Sequence, residues 1–198
     1  MHISEGVLST QVLIAGWAAS GVGVYIGLKK LEPDKIARTA LVASAFFLAS
    51  LIHFKLGPSS AHLTLIAPAG LLLGWQVFPA VLAALFLQAI LFNFGGFLVL
   101  GANLFIMAAP GLAAYLIFKK LIINNENKFA VVYAFLAGAA AVLLAALLAG
   151  AALAMSNHEF INIAKILFAA NLPLALIEGI ITALLISWLK RAAPEFLA

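Results

Sequence analysis

The chain alternates long apolar runs with short polar breaks, and this pattern constrains its fold more than any other feature. Residues 129–155, for example, contain no charged residue and no histidine. Across the whole chain 66% of residues are apolar and 9% are charged, which leaves too little polar surface for a water-soluble domain. A helix that crosses the hydrocarbon of a bilayer needs about 20 mostly apolar residues. We therefore predict an all-α integral membrane protein with about seven transmembrane helices.

The polar breaks divide the chain into seven predicted spans. These lie near residues 10–28, 38–54, 62–78, 80–94, 98–118, 129–155 and 164–189. The third and fourth spans are separated only by Gly74, Trp75, Gln76 and Pro79. No convincing internal repeat or low-complexity linker is present, so we treat residues 1–198 as a single domain.

The basic residues predict the orientation of the chain, because loops rich in Lys and Arg stay in the cytoplasm. Only Lys55 and Lys165 fall on one side of the predicted spans. The remaining basic residues fall on the other side: Lys29, Lys30, Lys35, Arg38, Lys119, Lys120, Lys128, Lys190 and Arg191. We expect the N-terminus outside the cell and the C-terminus in the cytoplasm. The start carries Glu5 and no basic residue, so a cleavable signal is not expected.

Two absences limit the chemistry that the chain can perform. It has no cysteine, which excludes disulfides, thiolate metal sites and cysteine nucleophiles. It also has no Gly-x-x-x-x-Gly-Lys-Ser/Thr loop, so we expect no ATP hydrolysis by this chain and do not expect an enzyme.

The sequence begins Met1-His2, and these two residues can offer three nitrogen donors to one divalent metal ion. The donors are the α-amine of Met1, the backbone amide of His2 and its imidazole. Methionine is normally retained before a residue as large as histidine, so we expect a free amine on Met1. Planar nitrogen ligation favours Ni(II) or Cu(II) over Zn or Mg. Because protons must leave these donors on binding, the affinity should fall at acid pH.

All four histidines, His2, His53, His62 and His158, map to the predicted outer side. His62 follows Gly57, Pro58, Ser59 and Ser60, and either serine could cap a helix that begins there. This pattern predicts His62 on the first helical turn at the outer mouth, where its ring would supply the fourth nitrogen. His53 and Ser60 are expected to support the metal ligands, whereas His158 resembles a solvated loop residue.

Four polar residues fall within or beside the apolar spans. Glu178 is the only acidic residue well inside a span, and an ionised carboxylate there is costly unless it is paired or beside a cavity. We expect it to have a structural role. Gln88, Asn93 and Asn103 surround the Gly95-Gly96 break and are expected to shape the outer pocket, with Asn103 holding a loop backbone.

Two other functions remain as alternatives. A solitary divalent-metal channel or facilitator would also cross the membrane many times, but polar groups would be expected along its whole path. An intramembrane serine hydrolase would use Ser59 or Ser60 with His62. These residues are close neighbours in sequence at an expected helix start, and no Gly-x-Ser-x-Gly elbow is present.

Three separated segments resemble the CbiM/NikM family, the substrate-binding membrane components (S components) of energy-coupling-factor (ECF) cobalt and nickel transporters. The first is the N-terminal segment Met-His-Ile-Ser-Glu-Gly-Val-Leu, residues 1–8. The second is Gly-Pro-Ser-Ser-Ala-His-Leu, residues 57–63, followed by the motifs within residues 88–103. The third is Leu-Pro-Leu-Ala followed by Ile-Glu-Gly, residues 172–179.

The resemblance implies a function and a set of ligands. The ligands of Ni²⁺ or Co²⁺ would be the Met1 amine, the backbone and ring nitrogens of His2, and the ring of His62. Phe94 and Asn171 stand where relatives often have histidine, which leaves the choice between Ni and Co open.

The same resemblance implies partners in a prokaryotic plasma membrane. These are a transmembrane coupling subunit (T component), paired cytoplasmic ATPases and often a small accessory membrane subunit. Ala45 and Ala49 would form part of the face that docks the coupling subunit.

Overall fold

The protein is a helical bundle with one short β-hairpin inserted between its helices. The computed structural model describes residues 3–56 and 59–197, and of residues 53–56 and 59–62 only the backbone. The helices are α1 (Thr10–Lys29), α2 (Ile36–Ser50), α3 (Ile66–Leu73), α4 (Val77–Phe92), α5 (Leu100–Asn124), α6 (Asn127–Ser156) and α7 (Ile161–Ala192). The strands are β1 (His53–Leu56) and β2 (Ser59–His62). Short 3-10 turns lie at Pro33–Lys35, Gly74–Gln76, His158–Phe160 and Pro194–Phe196.

Five helical segments among the described residues are long and apolar enough to cross a membrane. They are Thr10–Lys29, Ile66–Phe92, Leu100–Asn124, Asn127–Ser156 and His158–Ala192. The prediction of an all-α membrane protein is confirmed, with the two-stranded hairpin as the exception. The count of seven spans and the orientation of the termini stay predictions.

The region of the third and fourth predicted spans differs most from expectation. Helix α3 has 8 residues, so it is only about 12 Å long and cannot cross a bilayer alone. A turn at Gly74–Gln76 separates it from α4, and Gly74 has a positive φ of 57°. The break therefore falls at Gly74, while Pro79 is accommodated in the first turn of α4.

Small residues allow α6 and α7 to pack closely along much of their length. Ala134, Ala137, Ala141, Ala145 and Ala149 of α6 recur every three or four residues and are all buried. A β-carbon on Gly138 would lie 2.6 Å from the carbonyl oxygen of Glu178 in α7. Such backbone contact is available only to small side chains, which is how helices associate in lipid.

The helix ends form two chemically different ends of the bundle. Gln88 in α4 donates a hydrogen bond to the hydroxyl of Ser50, which joins the ends of α2 and α4. At the opposite end Gln76 donates to the carbonyl oxygen of Lys30, and Lys190 donates to the carbonyl oxygen of Ile122. One end of the bundle contains the hairpin with His53 and His62, and we call it the histidine end. The other end contains the connections α1–α2, α3–α4 and α5–α6, where most of the lysine and arginine residues lie, and we call it the basic end.

Candidate metal-binding site

The hairpin brings two of the histidine positions together. In its antiparallel register His53 is the partner of His62, and Lys55 is the partner of Ser60. Pairing between the strands therefore places the backbone of His53 directly opposite that of His62. The role of His53 and Ser60 beside the metal stays a prediction.

The prediction of a helix cap at Ser59 or Ser60 is wrong. Both serines lie in β2, His62 is its last residue, and the following helix begins only at Ile66. A serine pair before an apolar run can equally well enter a strand, and the local sequence does not distinguish the two outcomes. His62 is thus held by a strand and not by the first turn of a helix.

Glu178 anchors the segment that follows His62. Its carboxylate accepts hydrogen bonds from the amide of Thr64, from the Thr64 hydroxyl at 2.8 Å and from the amide of Leu65 at 3.0 Å. Glu178 is only 1% exposed, so these bonds form away from lipid and solvent. Ionic or polar acceptors of this kind are strong partners for backbone amides. A residue of α7 therefore sets the backbone two and three positions after His62.

These hydrogen bonds also set the depth of the segment in the bundle. Glu178 lies near the middle of the 32-residue helix α7, about 25 Å along its axis from Ile161. Leu65 adopts a left-handed conformation with φ of 48°, which is unusual for a residue with a branched side chain. The chain thus enters the bundle before the short helix α3 begins, and α3 completes the path to the basic end.

The backbone immediately after His2 is anchored by Asn103 in the first turn of α5. The amide of Ile3 donates to Asn103 Oδ1 at 2.9 Å, and Asn103 Nδ2 donates to the carbonyl oxygen of Ile3 at 3.0 Å. Ile3 is fully buried. One amide side chain therefore satisfies both polar groups of the Ile3 backbone, which buried peptide groups require.

The loop between α4 and α5 holds the next part of the N-terminal segment. The amide of Glu5 donates to the carbonyl oxygen of Gly95 at 3.0 Å, and its carboxylate accepts from the amide of Leu98 at 2.8 Å. Gly96 has a φ of 130°, and a β-carbon there would collide with the Glu5 carboxyl group. The Gly95-Gly96 pair thus allows the N-terminal segment to approach the loop backbone.

The other polar residues singled out from sequence have separate settings. Gln88 is fully buried, whereas Asn93 is exposed and ends α4 in a left-handed conformation. Asn171 is buried and donates to the carbonyl oxygen of Leu167 at 2.7 Å. The Phe94 ring lies 5.5 Å from that of Phe92.

Three further predictions concern residues with different exposure. Ala45 is exposed, but Ala49 is buried, so the two do not present one open face and only Ala45 is accessible for docking. His158 is exposed in a short 3-10 turn at the end of the bundle where the hairpin lies.

Met1 and His2 lie outside the described residues. Among those described, no group of three or more His, Cys, Asp or Glu residues could hold a metal.

Thr64, Leu65 and Ile3 were not identified from sequence. Their contribution comes through backbone groups, which the residue types do not reveal. The one available signal was indirect, since Glu178 and Asn103 are polar residues inside apolar segments and needed buried partners.

The fold and these anchored segments define a multi-pass α-helical membrane protein whose N-terminal segment and hairpin lie at one end of its bundle. Residues 2–196 match the family described as "Cobalt uptake substrate-specific transmembrane region". The chain belongs to this family.

Known proteins of similar sequence cover nearly the whole chain. A Haemophilus influenzae protein named "Putative metal transport protein" is 41% identical, over 98% of this chain and 96% of its own length. The "Cobalt transport protein CbiM" of Nostoc is 31% identical over 98% of this chain and 80% of its own length. The "Fused nickel transport protein NikMN" of Rhodobacter capsulatus is 32% identical over the whole chain and 64% of its own length.

A solved structure described as a truncated transition metal transporter has the same fold. It superimposes with a TM-score of 0.76 at 25% sequence identity, over 96% of this chain and 99% of its own. A second transition metal transporter gives the same TM-score at 26% identity, over 96% of this chain and 93% of its own.

Proposed function

We propose that the chain is the substrate-specific membrane component of an ATP-driven uptake system for Ni²⁺ or Co²⁺. The metal is the transported substrate and binds at the end of the bundle that contains the hairpin. Its ligands are the Met1 amine, the backbone and ring nitrogens of His2, and the ring of His62. The match to a cobalt-uptake family over residues 2–196 supports the class of substrate.

One structural observation carries the choice of ligands. The segments that lead to both proposed ligand positions are anchored by buried polar side chains of the helix bundle. Asn103 holds the backbone of Ile3, one residue after His2, and Glu178 holds Thr64, two residues after His62. Anchoring of this kind reduces the freedom of the flanking backbone before metal arrives, and less ordering on binding favours tight binding.

The proposed face for capture is the outer one. The basic residues gather at the opposite end of the bundle, and such residues favour the cytoplasmic side. In this orientation His53 and Ser60 also lie at the outer end, where they would support the ligands through hydrogen bonds.

The energy would come from partner proteins. The relative from Rhodobacter capsulatus is a fused nickel transport protein NikMN, and one from Methanocorpusculum labreanum is named "Putative fused cobalt transport protein CbiMQ". These fusions support association with further membrane components, which we take to be a coupling subunit and a small accessory subunit. Paired cytoplasmic ATPases would drive the cycle, and the exposed Ala45 would belong to the docking surface.

Calorimetric titration of the purified protein with Ni²⁺ and with Co²⁺ tests this function. The protein starting at Met1 is compared with His2→Gln, with His62→Ala and with His158→Ala as the control. Each of the first two variants lacks one imidazole ligand and should lose tight one-to-one binding, while His158→Ala retains it. Undiminished binding by both altered proteins would refute the terminal chelate.

A further inference from the structure

The largest concentration of positive charge surrounds a cavity at the basic end of the bundle. The cavity has a volume of about 550 Å³ and lies where the connections α1–α2 and α3–α4 meet the last turns of α5. Five cationic side chains line it: Lys29, Lys30, Lys35, Arg38 and Lys119. None of these residues belongs to the proposed metal site.

Among the described residues that line the cavity only one bears a carboxylate, which leaves a large excess of positive charge. That carboxylate belongs to Glu32, and its Oε2 lies 2.6 Å from Lys35 Nζ. Like charges gathered around one cavity repel each other, most strongly where the surroundings are less polar than water. An anion inside the cavity would relieve this repulsion.

Arg38 and Gln76 make the cavity wall a built structure. Arg38 donates hydrogen bonds to the carbonyl oxygens of Leu72, at 2.6 Å, and of Phe196. Its Nε is buried and has no hydrogen-bond partner among the described residues. Gln76 donates to the carbonyl oxygen of Lys30 at 2.7 Å. The wall is thus held by bonds between α2, the α3–α4 turn and the end of α1.

Two aromatic rings hold lysine side chains at the cavity. Lys30 Nζ lies 5.7 Å from the centre of the Trp75 ring, and Lys119 Nζ lies 5.2 Å from that of Tyr115. Both rings line the cavity. Trp, Tyr and Lys are the residues typical of the boundary between lipid headgroups and hydrocarbon. The cavity therefore has the composition of a membrane interface.

The apolar surface beside the cavity is open. Leu28, Leu116 and Ile117 are exposed, by 53%, 60% and 59% respectively, and flank cavity residues of α1 and α5. In a membrane these side chains contact acyl chains. A ligand with a phosphate at the basic cavity and acyl chains along this surface would place its negative charge beside the cations and its apolar part against the exposed apolar side chains.

We propose that this cavity binds the phosphate group of an anionic phospholipid. The five cations supply the charge, and the cavity admits the headgroup while the acyl chains remain against α1 and α5. The shared chemistry is that of a phosphate anion, so a soluble phosphate is the other source to be distinguished. The site is independent of metal capture, and it can be tested on metal-free protein.

Native mass spectrometry of the full chain in neutral detergent tests the proposal. The probes are phosphatidylglycerol, phosphatidylcholine with the same acyl chains, and inorganic phosphate. The variant Lys30→Gln/Lys119→Gln removes two cavity cations. The control Lys120→Gln/Lys128→Gln removes two lysines from the same end that do not line the cavity. The thermal midpoint of each variant is measured in parallel.

We expect phosphatidylglycerol to bind more tightly than phosphatidylcholine or phosphate. Each cavity lysine should contribute about fivefold, so the first double variant should bind about 25-fold more weakly and the control within about twofold of the parent. Glu32→Gln removes the one carboxylate that the described residues contribute to the wall and should tighten binding, a gain that misfolding cannot imitate.

Three results would overturn the proposal. One is equal binding of the two lipids, and another is equal loss in the two double variants. The third is inorganic phosphate binding as tightly as phosphatidylglycerol with the same dependence on the cavity lysines, which would assign the site to a soluble anion.

Discussion

Asn103 and Ile3 exchange two hydrogen bonds across 100 residues of sequence, at 2.9 and 3.0 Å. The side-chain amide takes the place of a β-strand partner for the chain that follows His2. This contact links the start of α5 to the N-terminal segment, and Glu178 makes a comparable link between α7 and the segment after His62. The two contacts lead to separate predictions.

Replacing Asn103 by Leu should free the N-terminal segment. The change leaves the buried amide and carbonyl of Ile3 without partners, which costs about 1–3 kcal/mol for each group. We expect faster hydrogen exchange of residues 3–9 and metal affinity weaker by about 10- to 100-fold, as for other residues that support metal ligands. The control is Asn125→Ala, because the Asn125 side chain lies at the other end and donates to the carbonyl oxygen of Leu121. Unchanged exchange would contradict the anchoring role.

Replacing Glu178 by Ala should destabilise the segment between the hairpin and α3. The amides of Thr64 and Leu65 would lose their acceptor inside the bundle, and a buried donor left unsatisfied costs about 1–3 kcal/mol. The thermal midpoint should fall, with Glu178→Gln intermediate because it keeps one acceptor oxygen. Glu159→Ala, exposed near the start of α7, is the control. A midpoint equal to that of the parent would show that other contacts hold this segment.

Gly70→Ala should disrupt the packing of α3 on α5. A β-carbon at this position would lie far inside the van der Waals contact distance to the Gly111 carbonyl oxygen. Overpacking of this kind typically costs about 1–3 kcal/mol, and here the obstacle is rigid backbone. Gly21→Ala is the matched control, since its added carbon would meet nothing within 4 Å. Thermal unfolding in detergent should separate the two variants, and equal midpoints would argue against close contact.

Metal binding by the proposed site should weaken steadily as the pH falls. Unperturbed imidazole and α-amine groups have pKa values of about 6.5 and 7.7–8.0, and both must lose a proton to bind metal. Protonation favours the free protein, so below pH 6.5 the affinity should fall at least tenfold per pH unit. Calorimetry at pH 8, 7, 6 and 5 checks this expectation. A constant affinity over that range would exclude the amine and imidazole as ligands.

Most helices could be predicted from apolar runs and their polar breaks. The predicted span 10–28 corresponds to Thr10–Lys29, and 129–155 corresponds to Asn127–Ser156. In lipid every buried backbone group must be bonded within the protein, so a long apolar run has few alternatives to a helix. The pattern did not predict the structure of residues 62–78, where the end of β2, the short α3 and the turn at Gly74–Gln76 stand in place of one continuous helix.

The apolar composition and its interruption by polar breaks were sufficient to predict the class of fold, because they indicate that the chain folds in a lipid bilayer. The Met1-His2 pair and His62 were sufficient for a metal hypothesis, because few residue types supply nitrogen donors. Neither could predict the hairpin that pairs His53 with His62 or the partners of Asn103 and Glu178. The contacts of Asn103 and Glu178 join residues about a hundred positions apart, and they depend on how the helices pack rather than on any local preference. The hairpin pairs nearby residues, but its serines before an apolar run fit a helix start as well as a strand.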